Sequence, residues 1–578
     1  MKNYNKYLLG LLISTGLVSC DVNNDLDPIP EEQPAVVELN VNGLDLSKYV
    51  SVGASFTAGV TDGALFIASQ ENSFPNILAS KFKMANGGDF SQPLMNDNIG
   101  GFVTTTGVVA QPPRLYFNGT GPAELNATPT TIFGAPAANA GNLNNFGVPG
   151  AKSFHLVTPN YGNPAGLATL PLTANPYFVR MGAPSGTTIM TDVAAAAPTF
   201  FTLSEIGGND VLGYALSGGY NPEVKHPVTG AVIVPASNAI YQSDNMVSPA
   251  NYGANDITNT DVFAQTFNGI VGALTAGGAK GVIVTLPYIT SLAHFTTVPH
   301  NPLDPRENSE LAGQVPLLNT VYGAINQIFI GAGQTNRVIT FDPNNTNPVV
   351  IKDEKLPNLS SVITTQLVAS PTFAPFVQSL GLPAQAAPLV AKLLGDQYGQ
   401  ARPATANDLL VLPSSTVIGT VNTKSVQTLM GQGIPQNLAG QFSAEGITLP
   451  LEDKWVLTPE EQKEIKDATD AYNQTITAVA NANANVTLVD LKDVLNQASM
   501  SGVAFDNYTL TTQLVFGGLI SLDGVHLTAR GYALMANKIL EAMDKPEAEG
   551  GFGTNFTKAT NGLAKAGDYP TNYSAALR

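Results

Sequence analysis

Tyr49-Val50-Ser51-Val52-Gly53-Ala54-Ser55-Phe56-Thr57-Ala58-Gly59 reads as a short buried strand running straight into a Gly-flanked turn. Ser55 stands where the strand hands over to a helix. In an α/β fold that is where reactive groups gather, at the carboxyl end of a parallel strand. Ser and Gly are also ordinary turn formers, so this stretch alone leaves Ser55 as either a turn residue or a nucleophile.

Working outward, the strand-then-turn signal recurs. Ser73 to Phe82 predicts a helix, with Ser73 as cap, Pro75 in the first turn and Phe74, Ile77, Leu78 and Phe82 on one face. Residues 86–142 are rich in Gly, Pro, Asn and Thr and read as an insertion of loops and short strands. Asn144 to Ser153 is a second strand-to-loop transition. Phe200 to Asp210 is an apolar strand ending in the tight Gly207-Gly208 turn, and Lys280 to Pro287 is a fourth strand after a helical run from Asp261 to Leu274. Residues 296–450 show no strand–helix alternation and one helical patch near Ala384 to Leu394, so they form either a lid-like insertion or a second small domain. Thr458-Pro459-Glu460-Glu461 is a capping box with Pro at the first helical position, opening a helix to about Ala480. Val486 to Leu491 is the fifth strand. A last helix follows Leu527, with Thr528 as cap and Tyr532, Met535, Ala536, Ile539, Leu540 and Met543 facing inward. Strands separated by helices imply right-handed crossovers, and so an α/β protein: a three-layer α/β/α sandwich on a five-stranded parallel sheet. The expected boundaries are a domain over residues 46–545, interrupted at 86–142 and 296–450, and a tail at 546–578 that covers the surface.

The N-terminus carries a processing signal over residues 1–19. Lys2 and Lys6 precede the apolar run Leu8 to Val18, which is too short to span a bilayer. It ends Leu17-Val18-Ser19-Cys20, which resembles a bacterial lipobox and implies cleavage before Cys20 and lipid attachment there. Cys20 is the only cysteine, so an internal disulfide, thiol catalysis and Cys-based zinc binding are excluded. Residues 20–45 read as an acidic, Pro-containing flexible tether. Asp21, Asn23, Asp25, Asp27 and Glu32 mimic a calcium loop, but Leu26 replaces its Gly, two prolines intrude and no helices flank it. Acidic residues after a lipidated Cys resemble the surface-export signal of Bacteroidetes lipoproteins. The implied location is the outer membrane, exposed at the cell surface and anchored through Cys20.

The chain has 578 residues and a formal charge of −17, which becomes −19 without Lys2 and Lys6. Such a chain repels phosphate backbones, and nucleic acid is not an expected partner. Charged residues are 12%, against the ~25% of ordinary domains. With 55 Gly and 40 Pro, this predicts uncharged loops wrapped around a conventional core. A monomer is expected.

Ester hydrolysis by serine needs a base for the hydroxyl proton, a carboxylate to orient that base and donors for the oxyanion. Only five histidines are present, and two have a carboxylate three residues earlier. Glu223/His226 is bracketed by Pro222 and Pro227 in a loop. Asp523/His526 lies at the mouth of the last helix, where one short loop can carry both base and orienter. Four separated segments then resemble, in order, the blocks of the SGNH (GDSL-type) hydrolases: Gly53-Ala54-Ser55-Phe56, Asn145 to Gly150, Gly207-Gly208-Asn209-Asp210, and Asp523-Gly524-Val525-His526-Leu527-Thr528. The resemblance implies a flavodoxin-like sheet, Ser55 as nucleophile, His526 as base and Asp523 as its orienter. It also implies an oxyanion hole of the Ser55 N–H, the Gly150 N–H and the Asn209 amide. The family's usual Asp before the serine is Ala54 here, which removes a carboxylate that braces the loop. No metal or organic cofactor is called for. The implied activity is a serine esterase or acylhydrolase acting on lipid, short-chain acyl or glycan O-acetyl esters through an acyl-serine. The alternative is a non-catalytic surface lipoprotein that binds glycan or lipid on the same fold, although the single Trp455 offers little aromatic platform for sugar.

Overall fold

Every residue of the strand Tyr49–Gly53 (β1) is buried, as a strand covered by helices on both faces must be. It pairs in parallel with Asn145–Gly147 (β2) on one side and with Phe200–Leu203 (β3) on the other. Lys280–Val284 (β4) and Val486–Val489 (β5) extend the sheet beyond β3, again in parallel. The order β5-β4-β3-β1-β2 has the flavodoxin-like topology. The chain leaves β1 toward one edge of the sheet and returns through β3 toward the other. A crevice therefore opens between the carboxyl ends of β1 and β3, with Ser55 just past the first and Gly207 to Asp210 just past the second. The computed structural model describes residues 36–243 and 248–578, with Leu39–Arg578 forming one compact unit. The expected signal, Cys20 and the acidic residues through Glu32 lie outside the described residues.

Short helix Ser55–Ala58 (α1) follows β1 directly. Phe74–Phe82 (α2) forms as expected, but Ser73 does not cap it through its side chain: its hydroxyl bonds Gln92 Oε1 at 3.3 Å. Gly208–Leu216 (α3) follows β3, and Thr260–Thr275 (α4) precedes β4, capped by Asn259 accepting from Asp261 and Val262 N–H groups. Phe82 packs edge-on against Tyr49 and Phe200 on one face of the sheet. On the other face Phe263 of α4 stacks on Tyr472 at 4.2 Å.

The insertion at 296–450 has its own apolar core and is largely helical, which corrects the expectation of a single helical patch. Its elements include Ser309–Gly331 (α5), Ser360–Ala369 (α6) and Ala387–Tyr398 (α7). Helix α5 left no periodic signature because Pro316 interrupts it and apolar residues lie all round. Val321, Tyr322, Ile325 and Phe329 are buried, while Leu317 and Ile330 are exposed. Two buried arginines tie this subdomain together. Arg337 donates to the carbonyls of Ala401, Pro357, Tyr398 and Gly399, and Arg402 pairs with Asp353 and Asp408. Trp455 packs against both cores.

The chain then re-enters the sandwich. Pro459–Ala482 (α8) starts where Glu461 accepts from the Thr458 N–H at 2.8 Å and from the Thr458 hydroxyl at 2.9 Å. Strand β5 stops at Val489, two residues short of the expected Leu491, because Asp490 accepts from Asp493 N–H and starts the further helix Leu491–Met500 (α9). The last helix, Ala529–Asp544 (α10), is capped by Thr528 Oγ1 accepting from Gly531 N–H, and its six expected inward residues are buried. The tail at 546–578 does more than cover the surface. Phe552 and Phe556 are buried in the main core, held by Asp544 accepting from the Phe556 and Thr557 N–H groups. The folded unit also begins earlier than residue 46, since Asn40 and Asn42 bond this tail and Leu44 is buried.

Candidate active site

Gly53 is required at the end of β1, because a Cβ there would meet Ser204 O at 2.8 Å and Thr57 Oγ1 at 2.0 Å. This close approach lets the chain turn into α1 with Ser55 at its first residue. Ser55 lines a cleft with Glu205, Asn209 and Val525. The Ser55 N–H has no acceptor among the described residues, and neither does the N–H of Gly150.

Gly150 has a φ of 80°, the left-handed region that favours glycine. Its peptide plane is set by a residue the sequence did not single out. Asn175 Nδ2 donates to Pro149 O at 2.8 Å. In a trans peptide the carbonyl and the following N–H point in opposite directions, so holding Pro149 O turns the Gly150 N–H the other way. Asp210 fixes the same loop from the far side, accepting from the Ser153 N–H at 2.8 Å and its hydroxyl at 2.7 Å. Asn209 Nδ2 donates to Ala151 O at 2.9 Å, which spends one of its two amide hydrogens and leaves the other.

Asp523 and His526 meet as expected, with Asp523 Oδ2 2.8 Å from His526 Nδ1. The carboxylate is fully engaged as an acceptor. Oδ2 also takes the Gly63 N–H at 2.7 Å, and Oδ1 takes the Val525 and His526 N–H groups at 2.8 Å each and the Ser521 hydroxyl at 3.0 Å. Burial alone would raise this carboxyl, but the imidazole and these N–H groups outweigh it and hold it well below the usual carboxylate range. Gly524 seats the loop on His294, whose N–H donates to Gly524 O at 3.0 Å. Phe56, next to Ser55, meets the His526 ring edge-on at 5.7 Å. Among the described residues no hydrogen bond joins Ser55 Oγ to His526 Nε2, a contact that often tightens only around bound substrate. The rival pair separates: Glu223 pairs with Lys225, and His226 accepts from the Val228 and Thr229 N–H groups in a hairpin turn, not the structureless loop expected.

Glu205 was also missed. It follows β3 at a φ of 46°, unusual for a residue with a Cβ, and reaches across to the turn after β1. Oε1 accepts from Ala54 N–H at 2.6 Å and Thr57 N–H at 2.8 Å, and Oε2 from Thr57 Oγ1 at 3.1 Å. Asp62 lies buried behind Asp523, its Oδ1 accepting from Leu522 N–H at 3.1 Å. Among the described residues no group of three His, Cys, Asp or Glu side chains is placed to hold a metal ion.

Several carboxyls shifted upward by burial contribute to the pH dependence of stability. Burial pushes Asp62, Glu205 and Glu461 up to about 7, and Asp453 up to about 9. Each binds its proton more tightly folded than unfolded, so the stability it contributes is present in acid and lost as pH rises through the folded value. Buried His155 and His294 work in the opposite sense, but only below their ordinary value of 6.5. From pH 6.5 to about 8.5 these carboxyls are expected to lower the thermal midpoint. A midpoint that rises in differential scanning fluorimetry would contradict this assignment.

A cleft with an open mouth lies behind Ser55. Its walls are Leu212, Val284, Leu286, Val494, Leu534 and Met535, among other apolar side chains. It runs from the carboxyl ends of β3 and β4 to beneath α9 and α10.

Residues 407–539 match the family described as GDSL-like Lipase/Acylhydrolase. The matched stretch contains α8, β5, α9, the Asp523–His526 loop and most of α10. Ser55, Gly150 and Asn209 lie outside it and are brought to it by the sheet. No curated protein and no solved structure matches the chain.

Proposed function

We propose that this chain, which belongs to the SGNH (GDSL-type) hydrolases, is a serine esterase that cleaves esters of apolar, medium-length acyl chains through an acyl-serine. His526 Nε2 takes the Ser55 proton as Oγ attacks the ester carbonyl, and Asp523 holds the imidazole with its proton on Nδ1. The N–H groups of Ser55 and Gly150 and the Asn209 amide receive the developing oxyanion. The alkoxide leaves with the proton from His526, and water activated by the same imidazole releases the acid. The proposal includes a monomer held at the outer membrane, facing the cell surface, by a lipid on Cys20.

The observation that carries the substrate class is the cleft: Ser55 sits on its wall, and its lining is almost wholly apolar. A chain seated there gains about 0.8 kcal/mol for each buried methylene, close to fourfold. Purified protein is therefore expected to show kcat/KM at least ~10²-fold higher for p-nitrophenyl octanoate than for the acetate. Val494→Trp, at a half-buried lining position on α9, should remove most of that preference and leave acetate turnover near wild type. Equal rates on both esters, or acetate preferred, would reject the acyl-chain assignment and favour small O-acyl substrates.

A further inference from the structure

Glu205 makes good the carboxylate that the sequence lacks at position 54. The turn that carries Ser55 has its first donors in two sets. The N–H groups of Ala54 and Thr57 go to Glu205, at 2.6 and 2.8 Å, while that of Ser55, between them, has no acceptor among the described residues. One half-buried carboxylate thus gathers donors on either side of the serine and leaves the serine's own N–H for the cleft. The Thr57 hydroxyl closes the arrangement on Oε2. Ala54 offers no side-chain acceptor, and α1 has no side-chain cap of its own. The acceptor comes instead from the neighbouring strand, 151 residues away from Ala54 in sequence. The backbone of Glu205 is held in the left-handed region to deliver it, a conformation that persists only where surroundings enforce it.

We propose that Glu205 is the positioning residue for Ser55: it acts as an acceptor supplied from β3, fixing the turn so that the serine hydroxyl and N–H face the cleft together. Its role runs through the Ala54 and Thr57 N–H groups and rests on the reading of Ser55 as nucleophile. What matters is reach and lone pairs rather than charge. Gln keeps an acceptor oxygen at the same distance for both N–H groups, and its amide can donate to the Thr57 hydroxyl. Asp keeps the charge but is one methylene too short to span both N–H groups.

The test compares Glu205→Gln, Glu205→Asp and Glu205→Ala with wild type and Ser55→Ala in the full chain, on p-nitrophenyl octanoate. Glu205→Gln is expected to stay within about fivefold of wild-type kcat. Glu205→Asp and Glu205→Ala should each lose ~10²–10³-fold in kcat, the loss typical of one misplaced oxyanion donor, with KM changed less than about threefold. The rate of Ser55 labelling by a fluorophosphonate should follow the same order. If Glu205→Ala does not fold, the Gln-over-Asp order decides alone, because both variants keep a half-buried polar group. Asp outperforming Gln would assign Glu205 a charge role and overturn the proposal, as would full kcat in Glu205→Ala. Full activity in Ser55→Ala would overturn the nucleophile reading and this proposal with it. Loss in Ser55→Ala beside intact Glu205 variants would overturn this proposal alone.

Discussion

Ser55→Ala is expected to abolish ester hydrolysis, with kcat falling by about 10⁴–10⁶-fold, while the thermal midpoint stays within a few degrees of wild type. Both halves follow from the same surroundings. The hydroxyl has no hydrogen-bond partner among the described residues, so its removal orphans no buried group. The N–H groups of Ser55 and Gly150, the cleft and the Asp523–His526 pair all survive the change, so ester binding should persist. What disappears is the oxygen proposed to carry the acyl group, and a nucleophile that works with its base as one unit costs most of the catalysis when lost. Turnover of the octanoyl ester, scanning fluorimetry and the mass increment from a fluorophosphonate check the three parts together. Turnover within tenfold of wild type, or a label on another residue, would place the chemistry elsewhere.

How much of this was legible beforehand depends on whether a residue's role leaves a local trace. Gly53 and Gly150 do, because a close backbone approach or a positive φ demands glycine at that position. Asp523 and His526 do, because one loop carries both at a spacing of three. The sheet did also: β1, β3 and β4 are buried on both faces and read as apolar runs bounded by Gly and Pro. Glu205 and Asn175 left no trace, since each works through partners far away in sequence or through a carbonyl that any residue could supply. The one available signal for Glu205 was a carboxylate at the end of an otherwise apolar strand, read beside an Ala where a carboxylate was expected. Helix α5 escaped because apolar residues such as Leu317 and Ile330 stand on its solvent face as well as on its buried one, which erases the period. The C-terminal tail escaped for a related reason: Phe552 and Phe556 are buried on irregular backbone, whose hydrogen bonds go to Asp544 instead of a ladder with a period.

Asp523→Asn is the sharper probe of how the histidine is held, and it is expected to lower kcat by about 10⁴-fold. All five hydrogen bonds to this side chain are ones it accepts, so no orientation of an amide suits the site. With Nδ2 in the place of Oδ2, the amide faces the Gly63 N–H and forces His526 Nδ1 to become an acceptor. The proton then resides on Nε2, the nitrogen that must receive the Ser55 proton. With Nδ2 in the place of Oδ1, it faces the N–H groups of Val525 and His526 instead. The loop then loses the two bonds that shape it, and His526 loses its register. Either way a buried donor is left unpaired, at a cost of about 1–3 kcal/mol in stability, so this variant should melt measurably below Ser55→Ala. Its stability should also lose one dependence on acid. A carboxyl held below its ordinary value contributes stability above that value and gives it up as pH falls through the folded one. The wild type should therefore shed part of its advantage over Asp523→Asn below about pH 4. A variant with wild-type kcat would remove Asp523 from the proposed mechanism, and one with reduced kcat but an unchanged melting gap across the acid range would refute the ionised, fully bonded carboxylate described above.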